Sequence, residues 1–208
     1  MTTRALDAHL TLDQTTVGSL GNNSYLLTTA DGHSLLIDAA ADSDALIGLL
    51  AGRTVETIVT THRHHDHVGA LAAMVEATGA TALAGRPDVD SIAEQSGIVC
   101  QPLWTGDVIE LGAHRIEVIG LVGHTPGSIT LVVRPADGPV QLFTGDSLFP
   151  GGVGKTGGPE NFTSLLDDVT RELFARFDDD TVVWPGHGAP TTLGVERPHL
   201  DEWRQRGW

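Results

Sequence analysis

The chain has 208 residues, 40% of them hydrophobic, with mean hydropathy +0.01, which fits one folded domain, residues 1–208, with a sizeable core. Twelve Lys and Arg against 27 Asp and Glu leave a formal charge of −15, a field that repels polyanions and argues against nucleic acid as a partner. No apolar run approaches the roughly 20 residues of a membrane helix, MTTRALDAHL lacks the apolar stretch of a signal peptide, and the one cysteine, Cys100, cannot close an internal disulfide.

The expectation is therefore a cytoplasmic protein with no membrane partner, its thiol a small buried hydrophobe at a strand. Three β-like segments come first, HLTLDQTTV, NSYLLTT and HSLLIDA, with GNN and ADG as turns between them, and they predict an antiparallel opening sheet. DSDALIGLLA (42–51) reads as a helix capped by Asp42 or Ser43, and VETIVTTH as a strand buried on both faces. After it Val68, Leu71, Ala72 and Val75 recur at helical spacing until Gly79. The second half offers a hairpin around Gly112, strands SITLVVR and VQLFTG, one long helix NFTSLLDDVTRELFARF, and strand TVVW. Two β-rich halves with helices point to an α+β sandwich, the sheets face to face and the helices outside.

Chemistry concentrates at residues 62–67, HRHHDH. With ten His in 208 residues, the chance of an H-x-H-x-D-H pattern arising anywhere is roughly two in a thousand. His62 ends a buried strand and Asp66 and His67 begin a helix, so one turn can aim several imidazoles and a carboxylate at one spot, a donor set suited to zinc or iron. His124, Asp146 and His187 also follow predicted strands, each in a turn rich in glycine: GHTPG, TGDS and PGHG. His9, His33, His114 and His199 have no partners at a recognisable spacing and are expected at the surface.

GGVGKT (151–156) invites a different reading, a phosphate cradle. That loop needs a glycine five positions before Gly154, and Phe149 stands there, so spacing excludes a nucleotide.

The segments NNSYLL, LLIDA, THRHHDH, GHTPGS, FTGDSLF and WPGHG together resemble the metallo-β-lactamase superfamily, and within it the compact thioester hydrolases of the glyoxalase II type. The resemblance implies a four-layer αβ/βα sandwich with residues 189–208 as a short C-terminal tail. It implies two divalent metals, zinc first with iron or manganese as alternatives. One would be held by His62, His64 and His124, the other by Asp66, His67 and His187, with Asp146 between them. Asp66 would double as the catalytic carboxylate that holds the attacking water, Asp38 would support the metal turn from behind, and Arg63 and His65 would point elsewhere.

Lys155, nine residues after Asp146, matches the lysine with which glyoxalase II enzymes contact the carboxylate of the thiol carrier, and is the candidate substrate-binding residue. Three departures bear on glutathione itself: Gly157 replaces an aromatic residue, Gly188 follows His187 where the family has a tyrosine-bearing segment, and only about twenty residues follow the last ligand. In the tail, Trp203, Arg204 and Trp208 are expected to cover the outside of a sheet. The leading reading is hydrolysis of a small-molecule thioester; the alternatives are a mononuclear iron persulfide dioxygenase, a lactonase or β-lactamase, and a non-catalytic metal-binding module. Acyl group, thiol carrier and oligomeric state stay open.

Overall fold

Alternation along the strands decides the architecture. In a computed structural model describing residues 1–207, the first half forms β1 (Thr2–Ala5), β2 (Leu10–Val17), β3 (Asn22–Thr29), β4 (Ser34–Ile37), α1 (Ser43–Leu50), β5 (Thr57–Thr60), α2 (His65–Val68), α3 (Leu71–Thr78), β6 (Thr81–Gly85), α4 (Val89–Ser96) and β7 (Gln101–Leu103). The second half forms β8 (Val108–Leu111), β9 (His114–Gly120), β10 (Ile129–Val133), β11 (Gln141–Gly145), β12 (Leu148–Phe149), β13 (Gly152–Val153), α5 (Pro159–Asp168), β14 (Val182–Pro185), β15 (Thr191–Thr192), α6 (Leu193–Glu196) and α7 (Leu200–Arg206).

A seven-stranded sheet runs in the order β1 to β7, antiparallel through β4 and parallel thereafter; a six-stranded sheet is ordered β15-β14-β11-β10-β9-β8. Successive side chains on a strand face opposite ways. Tyr25, Leu27, Leu35, Ile37 and Val59 of the first sheet therefore meet Val118, Leu131, Phe143 and Trp184 of the second in one inter-sheet core. Their neighbours Leu26, Leu36 and Ile58 point outward onto Leu46, Leu71, Met74 and Ile92 of the helices. On the other outer face Leu142 and Val183 pack against Phe162, Leu165, Val169 and Leu173. The result is the expected α+β, four-layer sandwich.

Most predicted elements fall in place, including the Gly112 hairpin and Asp42 as cap, whose side chain accepts from Ala45 N at 3.2 Å. Three readings need correction. The helix expected from Asp66 onward is broken at Gly69–Ala70 into α2 and α3, and α3 buries Leu71, as expected, together with Met74, while Ala72 is exposed. The long helix becomes α5 followed by a π-helical turn over Val169–Phe174; the wider turn keeps Val169, Leu173 and Phe174 all on the core side. The elements β1, β6, α4, β7, β12, β13, β15, α6 and α7 had no counterpart among the predicted ones.

Cys100 is buried one residue before β7, in the first outer core. Trp203 is buried on the outer face of the second sheet against Phe174, and Arg204 donates to Asp167 at 2.7 Å, so both cover that face; Trp208 lies outside the described residues. No helix among the described residues is long and apolar enough to cross a membrane.

Candidate metal centre

Strand direction gathers the candidate donors. Both β9 and β11 pair antiparallel with β10, and β14 pairs parallel with β11, so these three strands end at the same edge of their sheet. His124, Asp146 and His187 follow those ends. The end of β5 is tied to the same edge where Ile129 N donates to Thr61 O at 2.9 Å, which brings His62 to His67 across from them.

The nitrogens converge closely. His62 Nε2 is 3.1 Å from His64 Nδ1 and 3.3 Å from His124 Nε2. His67 Nε2 is 3.3 Å from His187 Nε2 and 3.4 Å from Asp146 Oδ1, while His187 Nε2 lies 3.3 Å from Asp66 Oδ2 and 3.5 Å from Asp146 Oδ2. Three donor groups result: His62, His64 and His124; His62, His67 and Asp146; Asp66, His67 and His187. Two donors each about 2.0–2.1 Å from a tetrahedral metal stand about 3.4 Å apart, close to these separations.

A proton inventory points the same way. Asp38 can only accept, and its Oδ2 takes hydrogen bonds from Thr61 Oγ1 and from His67 Nδ1, each at 2.8 Å, while Oδ1 takes one from Thr61 N at 2.7 Å. Having donated its hydrogen, Thr61 Oγ1 accepts from His62 Nδ1 at 3.0 Å. His124 Nδ1 donates to Lys155 O at 2.6 Å and His187 Nδ1 to Leu20 O at 3.1 Å. Four rings thus carry their proton on Nδ1, and four Nε2 lone pairs face one another. Lone pairs at 3.3 Å with no hydrogen between them repel unless a cation intervenes. Asp146 Oδ1, buried and without a hydrogen bond, has the same need. The residues fit two divalent cations.

Electrostatics follow from this crowding. Burial drives His62 well below the usual imidazole value, reinforced by His67 and His124. Burial opposes charge on His67 too, but Asp38 and Asp146 outweigh it and raise that group to about 10; with no metal the spot therefore takes a second proton on Nε2, and a bound cation supplies that positive charge in its place. Burial would raise Asp66 and Asp146; the Asn22 amide on the first and His67 on the second hold them below the ordinary carboxylate value.

All seven candidate ligands meet here, and Asp38 lies directly behind His62 and His67. Arg63 and His65 stay outside the donor groups, His65 being 83% exposed in its side chain. His9 and His199 are exposed, and His33 and His114 partly so. Lys155 meets the cluster through its main-chain oxygen; its side chain is exposed and makes no ion pair among the described residues. Within GGVGKT, Gly152–Val153 is the second arm of a small hairpin, Leu148 pairing with Val153 and Phe149 with Gly152. A Cβ on Gly154 would drive into the carbonyl oxygen of Asp146, so that glycine serves close approach to the site and not a phosphate.

Sequence reasoning missed two buried residues. Asn22 Nδ2 donates to Asp66 Oδ2 at 2.9 Å, and its only sequence signal is its place in NNSYLL. Asp88 binds the turns that carry His62, His64 and His124. Nothing local in RPDVD points to that.

Comparison with known proteins agrees with this geometry. The model of the metallo-beta-lactamase superfamily matches residues 17–187. A hydroxyacylglutathione hydrolase of Polaromonas sp. is 34% identical over 80% of the chain, which spans 62% of that protein's length; hydroxyacylglutathione hydrolase GloC of Haemophilus influenzae is 28% identical over 87% of the chain and 92% of its own. Among solved structures, TTHA1623 in a di-iron-bound form is 32% identical with TM-score 0.71, covering 89% of this chain and 96% of that one. The BLEG-1 B3 metallo-beta-lactamase is 26% identical with TM-score 0.78, covering 91% and 97%.

Proposed function

The chain belongs to the metallo-beta-lactamase superfamily, and from that premise we propose that it is a two-metal hydrolase cleaving S-acyl conjugates of a small thiol, as glyoxalase II does. The observation that carries the two-metal part is the completeness of both donor groups, His62, His64 and His124 on one side and Asp66, His67 and His187 on the other, with Asp146 between. The thioester part is supported by the hydroxyacylglutathione hydrolases among its relatives, one of them matched over nearly its full length. The ions are zinc first, with iron favoured next by the di-iron relative. Residues 1–208 act as one domain whose tail, from 189, braces the rim.

When bound, such a pair of ions lowers the pKa of water toward neutrality and polarises an acyl oxygen. The chain's own residues supply the rest. Asp66, oriented by the Asn22 amide, accepts a hydrogen bond from the attacking water. Asp38 and Thr61 fix the rings of His67 and His62, so no reorganisation is needed as charge develops. The thiolate leaves without a protein acid, and the exposed Lys155 ammonium takes an anionic group of the thiol carrier.

Metal analysis of the purified chain, followed by a thioester panel in which the thiol part varies, tests this. Two ions per chain and thiol release are expected, with Asp66→Asn lowering turnover about 10²–10⁴-fold. One iron with oxygen consumption would replace the reading by a persulfide dioxygenase, and faster cleavage of lactones or β-lactams than of any thioester would replace it by a lactonase or lactamase.

A further inference from the structure

We propose that Asp88 is the positioning residue of the three-histidine donor group, one buried carboxylate to which the His62–His64 turn and the His124 turn are both fastened. The proposal rests on the metal reading above. Asp88 ends the 3-10 turn Arg86–Asp88 and is 0% exposed. Its Oδ2 accepts from Arg63 N at 3.0 Å and from Thr125 Oγ1 at 2.6 Å, and its Oδ1 accepts from Gly127 N at 3.0 Å. Arg63 stands between His62 and His64; Thr125 follows His124. The three bonds therefore fix the two backbone turns whose side chains form that donor group.

Neighbouring features support a dedicated role. A Cβ on Gly127 would stand 2.5 Å from Asp88 N and 2.6 Å from Asp88 Cγ, so only glycine lets this turn reach the carboxylate. Gln95 Nε2 donates to Arg63 O at 2.8 Å, gripping the same turn from α4, and Arg63 Nε, 3.8 Å from Asp88 Oδ1, offsets the buried charge. The other donor group has separate supports: Asp38 holds His67 and Asn22 holds Asp66. Loss of Asp88 should then act on one group and spare the other.

The test is stepwise zinc binding by the metal-free full chain against a chromogenic chelator, with the cobalt electronic spectrum distinguishing a three-histidine environment from an Asp-His-His one. In Asp88→Asn the amide can accept from only part of this set and sets an N–H against another. Its first-group affinity is expected to fall about 10–100-fold, the usual effect of losing a partner that orients metal ligands, with the Asp66–His67–His187 group keeping its affinity and spectrum. Thr125→Val, which removes one of the three bonds to Asp88 together with the contact between Thr125 Oγ1 and Ser128 Oγ, should give a smaller fall at the same group, and carries the test if Asp88→Asn does not fold. Unchanged affinity at both groups in folded variants, or equal weakening of both, overturns the proposal. A wild-type chain binding fewer than two ions overturns the two-metal reading instead, and Asp88 is then judged on the ion that does bind.

Discussion

His124 and Lys155 are joined by a 2.6 Å hydrogen bond that runs from the ring Nδ1–H to the main-chain oxygen of the lysine. Every residue type offers that oxygen, so the bond survives substitution of the lysine side chain. Orientation of the ring thus rests on the main chain, and the exposed ammonium is left for the anion contact proposed above.

Lys155→Ala should keep metal content and leave kcat nearly unchanged. With an S-acyl conjugate bearing a carboxylate, KM should rise about tenfold or more, matching a charged hydrogen bond of about 1.5–3 kcal/mol. With a neutral thioester the effect should vanish. Steady-state kinetics on the two substrates decide it, and equal losses on both would refute a carboxylate contact.

Gly186→Ala should empty the site although no ligand is altered. The added Cβ would press on Asp146 Oδ1 and stand 2.7 Å from His67 Cε1. The backbone cannot retreat, because Gly186 O accepts from Asn23 N at 2.7 Å and Gly186 N donates to Gly145 O at 2.8 Å. Metal analysis should return less than one tightly held ion per chain, with stability lowered by about 1–3 kcal/mol.

Removing the carboxylate at position 38 should be costly even without metal. Asp38 is buried, accepts three hydrogen bonds from Thr61 and His67, and sits at φ 56°. Breaking a buried pair of this kind costs about 3–5 kcal/mol. Urea unfolding of Asp38→Ala and Asp38→Asn grades the loss: asparagine tolerates the left-handed backbone and keeps one acceptor oxygen, so the alanine variant should lose more, from strain and from the remaining hydrogen bonds together.

Stability should fall on the alkaline side because of Cys100, which burial pushes up from 9.0 to about 11. The native chain keeps the thiol proton that the unfolded chain releases between those values, so the contribution is complete below pH 9 and is lost as pH rises to 11. Each unit is worth about 1.4 kcal/mol at most, so the loss across the window is on the order of 2–3 kcal/mol. Denaturant midpoints measured across this window should decline more steeply for the wild type than for Cys100→Ala.

Much of the site was legible because metal chemistry demands particular residue types, and HRHHDH with three glycine-flanked partners states that demand openly. Asn22 and Asp88 were not legible. What they contact is set by folding, not spacing: Asn22 reaches across 44 residues to Asp66, and Asp88 uses main-chain N–H groups that no sequence displays. Among the elements, the short β-like runs NSYLLTT and HSLLIDA, set off by the turns GNN and ADG, gave the strands away. TALAG and VDSIAEQS did not declare β6 and α4, because small residues carry little periodicity and α4 buries only Ile92. The π-helical turn after Asp168 escaped since a helical pattern with one residue added still reads as helical.

The hairpin after Asp146 is also gripped from the far end of the chain: Gly151 N donates to Glu196 Oε2 at 2.8 Å, and Arg206 Nη2 donates to Gly151 O at 3.1 Å. Both main-chain groups of one glycine are thus held by the C-terminal segment, four residues before Lys155. Tail and lysine form a lever with Gly151 as its pivot. Neither Glu196 nor Arg206 belongs to the donor groups, so substitutions there would act on the loop that carries Lys155 without replacing any candidate ligand.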